Sequence, residues 1–90
     1  MAIAIYFHPK SLSAGQYDEA IRELEAAGAD QPAGRVHHSC FGPDGDLMVY
    51  EVWESPQAFE AYGPVLMPIL DKIGIDPGTP DVMPVHNMTT

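Results

Sequence analysis

The sequence predicts an α+β fold with the element order β-α-β-β-α-β, and three observations carry that prediction. An apolar run at the start gives way to a pattern with a period near 3.6 residues. Two runs rich in β-branched and aromatic residues then flank Gly42-Pro43-Asp44-Gly45, which has the chemistry of a hairpin turn. A second helical pattern, opened by Ser55-Pro56, leads through Asp76-Pro77-Gly78 to a last apolar run. This is the split β-α-β, or ferredoxin-like, order: a four-stranded antiparallel sheet with two helices on one face. The chain is 90 residues long, which suits one domain, 1–90, with a thin margin of buried surface.

The first strand is expected from Ala2 to Phe7, bounded by His8-Pro9. Ser11 and Ser13 offer cap oxygens to the unpaired amides of the first helix. Its apolar stripe is Ala20, Ile21, Leu24 and Ala27, and Gly28 is placed to close it in a left-handed conformation.

In the hairpin, Arg35 to Phe41 and Asp46 to Trp53 are the two strands. A four-residue loop would pair Phe41 with Asp46, Cys40 with Leu47, His38 with Val49 and Val36 with Glu51. Period-2 alternation then puts Val36, His38, Cys40, Leu47, Val49, Glu51 and Trp53 on one face. Arg35, His37, Ser39, Met48, Tyr50 and Val52 take the other. One face must meet the helices, and the other would be an exposed apolar patch on a lone subunit. A homodimer that buries both faces is therefore expected.

Ser55-Pro56 pairs a capping hydroxyl with proline at the first helical position. Phe59, Tyr62, Leu66, Ile69, Leu70 and Ile73 follow at helical spacing, but Gly63-Pro64 and Pro68 interrupt them, so a kinked or two-piece helix is expected. The last strand is read from Asp81 to Met88, with Pro84 marking an edge or irregular position.

Charge narrows the function. Four basic against thirteen acidic residues give a net charge of -9, which repels phosphate backbones and anionic membranes. No nucleic-acid or membrane partner is expected. Cys40 is the sole cysteine, which excludes an intramolecular disulfide and fits a reducing compartment. The opening MAIAIYFHPK lacks the basic n-region of a signal peptide, and a cytoplasmic protein is expected. His37 and His38 are adjacent, so on a strand they point to opposite faces and cannot share an ion. No metal and no cofactor is expected.

The segment Tyr50-Glu51-Val52-Trp53-Glu54-Ser55-Pro56-Gln57-Ala58-Phe59 resembles the Y-E-x-W-x-S-x-x-A segment of the antibiotic-biosynthesis-monooxygenase-like group in the dimeric α+β barrel superfamily. The resemblance implies two subunits paired sheet against sheet, with a pocket in each between sheet and helices. Members of this group include cofactor-independent monooxygenases, haem-degrading enzymes, cyclases and isomerases. Two positions depart from the pattern. Tyr62 stands where many members carry a histidine, and Val49 where the cofactor-independent oxygenases carry an asparagine. The second helix has no histidine to serve as an axial haem ligand. Trp53 carries over as a pocket-wall residue, or serves as a core aromatic at the strand end.

Glu51 shares the Trp53 face, where a carboxylate is costly unless paired. His38, about one diagonal step across the hairpin, is its expected partner. Together they form a general base or a structural tie between strands. Tyr62 directs its hydroxyl at a ligand or at the rim of the core, Val49 lines the same pocket, and His86 either reaches the pocket from the last strand or lies exposed at its edge. Cys40 reads as a small buried hydrophobe. The leading expectation is a pocket protein similar to cofactor-independent monooxygenases, acting on an aromatic or polyketide-like molecule. The rivals are a non-catalytic dimer binding a small apolar ligand, and a cyclase or isomerase on the same scaffold.

Overall fold

A computed structural model describes residues 1–89 of the chain. The elements are β1 (Ile3–Phe7), α1 (Ala14–Ala26), β2 (Arg35–Phe41), β3 (Met48–Trp53), α2 (Pro56–Ile73) and β4 (Asp81–Pro84). The strands form one antiparallel sheet in the order β2-β3-β1-β4. The predicted order and sheet are both present.

Ser13 caps α1 in a reciprocal box: its hydroxyl accepts from the Gln16 amide, and the Gln16 side chain accepts from the Ser13 amide. Ser55 caps α2 by accepting from the Ala58 amide, with Pro56 directly behind it. Of the expected kinked or two-piece helix, the two-piece form is absent, and α2 runs as one helix through Pro64 and Pro68. Both prolines and the residue whose carbonyl Pro64 leaves free, Glu60, are exposed, so water can take up the freed acceptors.

The hairpin loop is longer than predicted. Phe41 pairs with Met48, Cys40 with Val49, Ser39 with Tyr50 and His38 with Glu51. This is a two-residue shift from the expected register. Its cause is Leu47, whose amide donates to the Leu12 carbonyl at 3.1 Å instead of joining the ladder. A shift of two leaves every side chain on its predicted face. A bulge between Arg35 and His37 does not: Arg35 pairs with Trp53 and turns inward, while Val36 is 53% exposed. The last strand is also shorter than predicted. It ends at Pro84, on an edge strand where a missing amide costs no bond to β1; the Val85 amide still donates to the Ala2 carbonyl at 3.0 Å, and His86 lies beyond it.

Two apolar clusters fill the space between sheet and helices. One joins Ile3, Ile5, Leu24, Trp53 and Tyr62; the other joins Leu12, Ala20, Leu47 and Ile75. The opposite sheet face is uneven. Val52 is buried there, but Tyr50, Phe41 and Met83 are exposed.

Candidate functional site

A cavity of about 80 Å³ opens between the sheet and the two helices. Its walls are mostly apolar, among them Ile21, Leu24, Leu66 and Leu70, and its polar side chains are Tyr17, Asp30, Arg35, His38, Glu51 and Tyr62. Alternation along β2 and β3 aims His38 and Glu51 inward, and α1 lays Tyr17 across them.

The polar groups form one chain of hydrogen bonds. His38 Nδ1 lies 2.5 Å from Glu51 Oε2, and His38 Nε2 lies 2.7 Å from the Tyr17 hydroxyl. The Trp53 indole Nε1–H donates to the other carboxylate oxygen, Glu51 Oε1, at 2.9 Å. Arg35 adds a guanidinium nitrogen 3.6 Å from Glu51 Oε2 and donates to the Asp30 carbonyl at 2.9 Å. Glu51 is only 4% exposed, yet both of its oxygens are partnered. Among the described residues, no buried side-chain nitrogen or oxygen lacks a hydrogen-bond partner.

A carboxylate accepts only, so Glu51 requires the proton of His38 to sit on Nδ1. In the neutral imidazole Nε2 is then an acceptor, and the Tyr17 hydroxyl donates to it. Burial pushes the Tyr17 phenol up to about 12, with nearby Cys40 and Glu51 adding to the rise against the pull of Arg35. The phenol therefore holds its proton across the neutral range. The two ring planes are nearly parallel, at 11°, with centroids 6.0 Å apart.

Three contacts tie the β2–β3 loop to the chain between the end of β1 and the first residue of α1. The Ala14 amide donates to Asp44 Oδ1 at 2.9 Å, Leu47 bonds Leu12, and His8 Nε2 sits 2.8 Å from Asp46 Oδ1. The β2–β3 loop thus grips the start of α1 one turn before Tyr17.

Of the predicted residues, His38, Glu51, Val49 and Tyr62 line the cavity. Tyr62 does not present its proton to a ligand, because its hydroxyl donates to the Ala29 carbonyl at 2.7 Å, and burial raises its pKa. Trp53 is 0% exposed and stands behind the cavity wall, packed against Phe59 and Tyr62 with ring centroids 5.6 Å apart in each case. Its contact with the site is the indole bond to Glu51. His86 is exposed and lies off the cavity, since the strand that would have carried it inward stops at Pro84. Cys40 is half-buried and packs against the second cluster, where burial raises its thiol pKa.

Two participants do not follow from strand alternation and helical period alone. Alternation places Arg35 on the outer face, and the bulge between Arg35 and His37 turns it inward. Tyr17 stands at the open end of the apolar stripe of α1, and helical period alone does not bring it to His38. Among the described residues, no group of three or more His, Cys, Asp or Glu side chains is arranged to hold a metal ion, and no helix is long and apolar enough to cross a membrane.

No family model matches the chain, and no curated protein matches it by sequence. Solved structures do match its fold. The cofactor-independent oxygenase SnoaB from Streptomyces nogalater superposes with a TM-score of 0.64 at 16% identity, covering 97% of this chain and 93% of that one. A candidate antibiotic biosynthesis monooxygenase from Chloroflexus aurantiacus gives 0.66 at 17% identity, over 99% and 98% of the two chains. Another from Deinococcus radiodurans gives 0.66 at 14% identity, over 100% and 97%. The chain has the fold of the antibiotic-biosynthesis-monooxygenase-like structures over its whole described length. At these identities the likeness is one of architecture.

Proposed function

We propose that this chain is a small-molecule enzyme of the cofactor-independent oxygenase type, acting on a hydroxylated aromatic compound. The observation that carries the reading is the Tyr17–His38–Glu51 hydrogen-bond chain at the wall of an apolar cavity. Glu51 holds a proton on Nδ1 and leaves Nε2 as a base, and a proton gained there makes an imidazolium beside a carboxylate. Removal of a phenolic proton leaves an electron-rich ring anion. Dioxygen is the oxidant: one of its atoms enters the substrate as a carbonyl oxygen, the other leaves as water, and the substrate supplies the electrons. The like-folded SnoaB, described as a cofactor-independent oxygenase, supports this choice among reactions.

The cavity limits the occupant. Its roughly 80 Å³ is below the ~150 Å³ apolar cavity that accepts a benzene ring, so even a one-ring phenol enters only as the side chains around it give way. Larger polyketide-like substrates require α1 and α2 to part. The working form is read as a homodimer in the cytoplasm, its second subunit covering the exposed Tyr50, Phe41 and Met83.

Oxygen uptake tests the activity. With a series of one-ring to three-ring hydroxylated aromatics, the wild-type protein should consume dioxygen without added metal or flavin, and His38→Ala should not. Ligand binding with no oxygen uptake across the series would overturn the oxygenase reading in favour of proton transfer alone, as in a cyclase or isomerase.

A further inference from the structure

His38 has no free nitrogen. Nδ1 is held by Glu51 at 2.5 Å and Nε2 by Tyr17 at 2.7 Å, so a ligand in the cavity meets an imidazole that is already occupied at both ends. The carboxylate behind it is likewise engaged by Trp53 at 2.9 Å and has Arg35 beside it. Tyr17 differs. Its hydroxyl uses its proton on His38, which leaves oxygen lone pairs free, and Tyr17 lines the cavity.

We propose that Tyr17 is the catalytic residue that takes the substrate's hydroxyl proton, and that His38 and Glu51 act behind it as a relay. This rests on the general-base reading given above. The step balances as two linked transfers. The substrate O–H bond breaks as a new Tyr17 O–H bond forms, and the original Tyr17 proton passes to His38 Nε2. The substrate becomes a phenolate, Tyr17 ends as the neutral phenol it was, and His38 becomes an imidazolium held by Glu51. No tyrosinate accumulates, in keeping with a phenol whose own ionisation is driven up to about 12. The arrangement also selects its ligand: a hydroxyl that can donate fits Tyr17, whereas a carbonyl oxygen at the same place finds no proton to accept.

The experiment uses 4-nitrophenol, whose phenolate is coloured and whose phenol is not, titrated with the full-length protein at a pH below the probe's own pKa. Wild-type protein should bind the probe and raise its phenolate fraction. Tyr17→Phe keeps the ring and the apolar wall. It should bind within about twofold while the bound phenolate-to-phenol ratio falls about tenfold, the effect of one pKa unit. His38→Gln, which leaves Tyr17 in place but cannot hold the proton, should show the same loss.

The other outcomes separate cleanly. If Tyr17→Phe ionises the probe as well as wild type or better, His38 meets the ligand directly and the Tyr17 relay is wrong, while the general-base reading survives. If a folded Tyr17→Phe protein no longer binds, the hydroxyl is an anchor and the relay is again overturned. If His38→Gln ionises the probe normally, the inner end of the relay is wrong. Wild-type protein that binds without ionising the probe, or fails to bind it, removes the general-base reading and the relay with it.

Discussion

The Trp53 indole donates to Glu51 Oε1 at 2.9 Å, from a position two residues along the same strand and on the same face. An aromatic side chain with no exposed surface thus serves the polar site through a single N–H. The bond holds the carboxylate by one oxygen while His38 engages the other, so Trp53 helps to fix the group that His38 faces.

Trp53→Phe should cost about 2 kcal/mol of stability, because Glu51 Oε1 loses its donor while buried and the smaller ring leaves a void. Urea unfolding followed by circular dichroism measures it. A loss below half that figure would mean that Oε1 is served by water.

Arg35→Met should also destabilise, by about 1–3 kcal/mol, since it strips the cationic neighbour from a carboxylate that stays buried. The double change Arg35→Met with Glu51→Gln should recover part of the loss. Additive losses in this cycle would show that the 3.6 Å contact carries no coupling.

High pH should unfold the protein partly through Tyr17. Its pKa is raised from 10.0 to about 12 in the fold. The native state therefore keeps a proton that the unfolded chain releases. The contribution is complete below pH 10 and is lost as pH rises from 10 towards 12. Thermal midpoints across this window should fall less steeply for Tyr17→Phe than for wild type. Identical slopes would place the effect in other groups, Tyr62 first among them.

Gly34→Ala should destabilise by about 1–3 kcal/mol. Gly34 has φ +88°, and a Cβ there would lie 2.6 Å from the Ala58 Cβ. Denaturant midpoints test this, and an unchanged midpoint would mean that α2 can move away from the start of β2.

The dimer is tested on the outer sheet face. Tyr50 and Met83 are exposed there. Tyr50→Lys combined with Met83→Glu should convert a light-scattering mass of two chains into one at micromolar protein. A wild-type protein that is already monomeric contradicts the proposed pairing.

Much of this molecule could be read without coordinates. The order of elements follows from local rules: Ser13 and Ser55 cap helices, Gly42-Pro43 turns the chain, and apolar residues recur at the period of each element. The inward placement of His38, Glu51 and Trp53 follows as well, because period-2 alternation survives a two-residue error in register. What alternation cannot contain is a bulge, a ladder bond diverted to another segment, or a partner from elsewhere in the chain. Leu47 left the ladder for Leu12, Arg35 turned inward at the bulge, and the strand that would have carried His86 stopped at Pro84. Proline spacing overstated the break in α2, since exposed carbonyls can bond water. Tyr17 marks the division most clearly. The sequence by itself determined that it lies on a capped amphipathic helix. Only tertiary packing, with the β2–β3 loop gripping the start of that helix, brought its hydroxyl to His38, 21 positions away in the chain.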